Sequence, residues 1–189
     1  MAIVRVLFAA VFLAATVLPA PAADEILDAI EQARKAYQAG DMTGAKEALS
    51  VASHLVGQKN AENFAALLPA PLPGWTAEKP ETASAGVAMF GATSASRRYT
   101  GPDGHDVEVR IAGDSPLVIQ FAQFLIDPTI AGAIGKLIRV GEQRAIQTKE
   151  GSINMVVANK FLVTVDGSAS LDAKLAYAQA VDIAKLSKL

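Results

Sequence analysis

Two histidines and no cysteine limit the chemistry open to this chain. His54 stands beside Leu55 and Val56 in a stretch of helical periodicity. Nothing near it in sequence supplies a nucleophile or a ligand pattern, so a histidine on a helix surface is expected. His105 lies in "PDGHDVE", between Asp103 and Asp106. Mixed imidazole and carboxylate ligands suit zinc or copper. No second histidine or cysteine stands at ligand spacing, however, and a turn rich in acids is what a hydrophilic hairpin tip contains. No metal site and no cofactor is expected. The lack of cysteine also removes thiol nucleophiles, disulfides and a lipoprotein anchor.

Ser84, Ser94, Ser96, Ser115, Ser152 and Ser168 provide hydroxyls, but none lies in a G-x-S-x-G elbow or an S-x-x-K motif. A Ser-His-Asp arrangement would have to use His54 or His105, which fall in different parts of the chain. An enzyme would gain ground only if folding brought one of them to a serine and a carboxylate in one cleft. "GAIGK" lacks the spacing and the Ser/Thr of a phosphate loop. The pairs Asp103/Asp106 and Glu78/Glu81 are spaced as on any solvated surface, so acid-pair glycosidase chemistry is not favoured. The residue census points away from an enzyme.

Contact chemistry has better candidates. Arg97 and Arg98 precede Tyr99 in a strand, where adjacent residues face opposite sides. They form either an anion or partner contact with an aromatic anchor, or an exposed strand with solvated cations. Trp75, the only tryptophan, follows "LLPAPLPG". It is either a plug seating that segment on the sheet or an exposed contact for a ligand. Tyr37, on the first helix, is the fifth candidate for a ligand or partner contact.

These residues need elements to position them. The start, "MAIVRVLFAAVFLAATVLPAPAAD", has one cation, Arg5, then an apolar run and the triplet Ala20-Pro21-Ala22. Those are the parts of a secretory signal peptide over 1–22, cleaved near Ala22, with an uncleaved anchor as the alternative. The run is shorter than the ~20 apolar residues that cross a bilayer, so no stable span is expected after cleavage. The expected location is the periplasm or the exterior. The 17 basic residues against 19 acidic, one cation lying in the leader, leave no basic stripe for nucleic acid.

Residues 23–68 read as a helical hairpin. Ile26, Ile30, Ala33 and Tyr37 recur on one face; Gly40 ends the first helix and Asp41 caps the second. The second carries Ala45, Leu49, Ala52 and Val56, with its end uncertain near Gly57. "AYQAGDMTGAKEALSVA", through Tyr37, Gly40-Asp41, Ala45, Leu49 and Ala52, resembles one tetratricopeptide-type hairpin of roughly 34 residues. Such arrays need three or more repeats for a continuous core. A lone hairpin must therefore bury its apolar stripe on the rest of the chain, on a twin or on a partner.

Residues 69–75 form a proline-rich linker, in which Pro69, Pro71 and Pro73 enforce extended geometry. Beyond it, over 76–189, the period changes to two. "SASRRYT" and "HDVEVRI" pair across "GPDG", with Val107, Val109 and Ile111 on one face. Ser115-Pro116 starts a helix through "LVIQFAQFLI", and "TIAGAIGK" is either a further helical turn or loop. Four short strands follow: "KLIRV", "RAIQTKE", "SINMVVA" and "FLVTV". A three-residue loop, Ala158-Asn159-Lys160, sets Val157 opposite Phe161 and Met155 opposite Val163, so the apolar faces agree. "SLDAKLAYAQAVDIAKLSKL" reads as one helix burying Leu171, Leu175, Ala178 and Val181.

Strands in runs, separated by helices, indicate an α+β fold: a helical hairpin, then an antiparallel sheet covered on one face by helices. This element order resembles PsbP-like and lipoprotein-carrier-like domains. The layout "LPGW… Y… VEV… V.VDG… D" resembles exported bacterial proteins of unassigned function. The expectation is a non-catalytic exported accessory protein, with the hairpin binding a protein partner or a second copy. The alternative is a carrier holding an apolar small molecule between curved sheet and helices. The accessory reading requires an exposed apolar stripe on the hairpin; the carrier requires an apolar cavity under the helices.

Overall fold

Asp24 opens the first helix, α1 (Glu25–Gln38), its Oδ1 accepting from the backbone N–H of Ile26 and Leu27 at 3.1 and 3.2 Å. Gly40, at φ +79°, ends it. Asp41 caps α2 (Met42–Leu67) by accepting from the Gly44 N–H at 2.9 Å. The computed structural model describes residues 24–84, 92–113, 118, 122 and 132–189. The helix α2 runs through Gly57 unbroken, and that glycine is buried.

The seam of the hairpin differs from the expected one. Ala29 and Ala33 of α1 and Ala45 and Ala52 of α2 are buried, whereas Ile30, Tyr37, Leu49 and Val56 are exposed. Small side chains let the two antiparallel backbones approach closely, and the larger apolar groups are left at its margin.

The sheet comprises β1 (Thr76–Ala77), β2 (Glu81–Ala83), β3 (Thr93–Thr100), β4 (Asp106–Gly113), β5 (Gly135–Val140), β6 (Gln143–Thr148), β7 (Ile153–Val157) and β8 (Phe161–Asp166). Its order is β1-β3-β4-β8-β7-β6-β5, with β2 also pairing β3, and every pairing is antiparallel. The fold is α+β. Val157 pairs with Phe161 and Met155 with Val163, so the loop has three residues, as face matching requires. The expected helix from Ser115 lies outside the described residues except for Val118 and Ala122, which are helical. Of "TIAGAIGK", only 132–136 is described: 132–134 is helical, and Gly135 begins β5.

The C-terminal segment is two helices, not one. α3 (Leu171–Ala180) stops at Val181, whose backbone is extended, and Asp182 caps α4 (Ile183–Leu186) by accepting from the Lys185 N–H at 2.9 Å. Ala178 and Val181 are buried as expected, but Leu171 is exposed; Tyr177 and Leu186 fill the core.

One sheet face carries Tyr99, Val107, Val109, Ile111, Met155 and Val163, all fully buried. Phe64 and Leu68 from the end of α2 join this core, Phe64 meeting Phe161 edge-on at 5.6 Å between ring centres. The opposite face holds a smaller cluster of Val118, Ile146 and Val156.

Candidate functional site

Three of the sequence candidates converge on the proline stretch. Tyr99 donates its hydroxyl to the Pro69 carbonyl at 2.7 Å, and the Arg97 guanidinium reaches the same oxygen at 3.4 Å. Strand alternation puts Arg97 on the core face with Tyr99. Its Nε is buried with no hydrogen-bond partner among the described residues. Tyr177 of α3 completes the group: its ring lies 4.4 Å from Tyr99 and 5.2 Å from Trp75, the latter edge-on. Its hydroxyl accepts from the Leu72 N–H at 3.2 Å. Segment 69–75 is thus held on the sheet by an aromatic latch.

Burial pushes the Tyr99 phenol up to about 12, even though the Arg97 charge opposes the shift. Burial also raises the Tyr177 phenol, against the pull of its bond to Leu72. Both stay neutral at ordinary pH, which suits hydrogen-bonding clamps. Sequence reasoning missed Tyr177, because only the fold brings position 177 beside 75 and 99.

Arg98 projects from the other face. It pairs with Glu108 at 3.2 Å and Asp106 at 3.9 Å, while Arg110 pairs with Glu108 at 2.7 Å. Burial works to raise the Glu108 carboxyl, but the bonds from Arg110 and Arg98 prevail and hold it below the ordinary range. Ser168, which hydrogen-bonds the Asp106 carboxylate, lowers that group in the same direction. Arg98 is therefore neutralised within the sheet. Tyr37 is remote from all of these, exposed on α1.

His54 is not a bare surface histidine. Its Nδ1 lies 3.5 Å from Ser84 Oγ and its Nε2 lies 3.1 Å from the Gln58 amide nitrogen, in a cleft that Glu62 also lines. The serine and the carboxylate do share a cleft with this ring. Ser84 stands at the outer limit of hydrogen bonding from Nδ1, and the donor and acceptor roles of the two ring nitrogens follow the tautomer. Glu62 is engaged by Lys59 at 3.1 Å. His105 donates its backbone N–H to Asp103 at 3.1 Å, as in an ordinary turn. No group of three or more metal-ligating side chains occurs among the described residues.

The hairpin provides a different kind of site. Of the large apolar side chains exposed among the described residues, seven stand on α1 and α2 and three, Leu137, Leu171 and Leu189, elsewhere. Met42, Leu49 and Val56 recur every seventh residue and fall within about 40° of one another around α2. Leu27, Ile30 and Tyr37 span about 80° of α1. Because the helices are antiparallel, both rows lie on the same side of the alanine seam. Exposures from 42% at Val56 to 65% at Tyr37 mean that the other described residues leave this surface uncovered. Among the described residues, no helix is long and apolar enough to cross a membrane. Comparison with protein-family models, curated proteins and solved structures found no match to this chain.

Proposed function

We propose that this chain is an exported, non-catalytic accessory protein that binds a protein partner through the apolar face of its α1–α2 hairpin. The observation that carries the reading is the double row of Leu27, Ile30, Tyr37, Met42, Leu49 and Val56 beside a seam of alanines. Contiguous apolar surface of this kind marks interaction sites, whereas scattered apolar residues do not. Tyr37 stands in the row as its aromatic anchor, the residue type enriched where interface energy concentrates.

The latch supports the same reading. With Trp75 packed on Tyr177 and with Tyr99 and Arg97 engaged on Pro69, these contact candidates are occupied internally. The signal-like leader supplies the route of export. The test places a photo-cross-linking residue at position 49, in the row, and separately at position 47, far around the helix. The reading expects covalent adducts from position 49 and none from 47; adducts from neither, or equally from both, defeat it.

A further inference from the structure

Strand β5 lies at one end of the sheet and pairs only with β6 among the described residues. At the other end, the edge strands β1 and β2 have two and three residues, whereas β5 has six. A short edge strand offers little to an incoming chain, but a six-residue edge presents a row of unpaired N–H and C=O groups.

The register identifies those groups. Gly141, at φ +59°, and Glu142 make a two-residue turn between the paired residues Val140 and Gln143. The pair that closes such a turn exchanges both ladder bonds, and the pairs alternate from there. Ile138 is therefore bonded to Ala145, while Leu137 and Arg139 turn their backbone groups outward.

The same alternation makes Arg139 and Arg144 a non-hydrogen-bonded pair, the kind whose side chains stand closest. Like charges set directly opposite destabilise a sheet. Both arginines and Lys136 are exposed, and none of the three forms an ion pair among the described residues. Glu142 is the single acid from 135 to 148, and it pairs with none of them. Lys160, in the adjoining β7–β8 turn, adds to the positive excess.

Cations along an edge oppose pairing with a second copy, which would bring the same charges alongside. They favour a strand of opposite charge. We propose that the β5 edge binds an extended acidic segment of another protein by strand addition. Its acids stand three residues apart, one opposite Lys136 and one opposite Arg139, where it relieves the repulsion from Arg144. An apolar residue between them lies opposite Leu137, which is 37% exposed. This surface is separate from the hairpin face, and the proposal does not rest on the reading of that face.

The full chain is titrated into the peptide TEVVET, amidated at its C-terminus and carrying a neutral nitrobenzoxadiazole label, and anisotropy is followed. TEVVET binds, and TKVVKT binds about tenfold more weakly or worse. Arg139→Glu, at an exposed position, weakens TEVVET about tenfold or more without lowering the melting temperature. Methylating both valine nitrogens of the peptide removes a ladder donor in either register and weakens binding to the unmodified chain to a similar degree. No binding of TEVVET up to about 1 mM overturns the proposal. So does binding indifferent to Arg139→Glu or matched by TKVVKT. Binding indifferent to methylation also overturns it, since that marks a cationic patch without strand addition.

Discussion

The hydroxyl of Tyr99 and the carbonyl of Pro69 meet at 2.7 Å, tying strand β3 to the first residue of the proline stretch. A fully buried donor and a carbonyl that has left its helix satisfy one another there. Tyr99→Phe keeps the ring and leaves the carbonyl only the longer contact from Arg97, so unfolding free energy should fall by about 1 kcal/mol. The single tryptophan, two rings away through Tyr177, reports the transition by fluorescence. An unchanged denaturation midpoint would show that the bond contributes nothing.

The same phenol predicts an alkaline limit. Its folded value, about 12, lies above the ordinary 10.0, so the folded state favours the neutral form. The resulting stability is fully present below the ordinary value and is lost as pH rises through the folded one. Urea midpoints of the unmodified chain should therefore hold to about pH 9 and decline toward 12, with a smaller decline in Tyr99→Phe. Equal declines in both would assign the alkaline limit to other groups.

Gly167, between β8 and α3, has φ +122°. A methyl group there would run into the Asp106 carbonyl. That backbone is doubly committed, since the Asp106 carbonyl accepts from Ala169 at 2.9 Å and its N–H donates to Ser168 Oγ at 3.0 Å. Gly167→Ala should destabilise by about 2 kcal/mol or more, combining a disallowed backbone with a clash against main chain. Gly104→Ala, at a φ of +81° with open space around it, serves as the comparison and should cost less. Similar losses in both thermal melts would leave the clash without effect.

How much of this was readable beforehand depends on which residues decide each feature. The sheet was legible wherever a period of two met a short turn: Val107, Val109 and Ile111 had to share a face, and Val157 had to oppose Phe161. The hairpin's existence was legible from Gly40 and Asp41, but its packing face was not. Periodicity places Ile30 and Ala33 on one helical side and cannot say that alanine, being small, takes the seam. The break at Val181 was hidden because apolar residues continue on both sides of Asp182. The latch was half legible: Trp75, Tyr99 and Arg97 stood out by type, whereas Tyr177 read as one more helix residue. The His54–Ser84 contact joins positions 30 residues apart and leaves no local signal.

The docking face is the claim on which the functional account stands, and photo-cross-linking from it in the native cell interrogates that face most directly. Irradiation should convert the chain carrying the reactive group at Leu49 into a discrete heavier species, and substituting Tyr37→Glu in the same chain should abolish that species while leaving the melting temperature unchanged. A chain that stays monomeric in size after irradiation, or a species indifferent to Tyr37→Glu, would contradict the account.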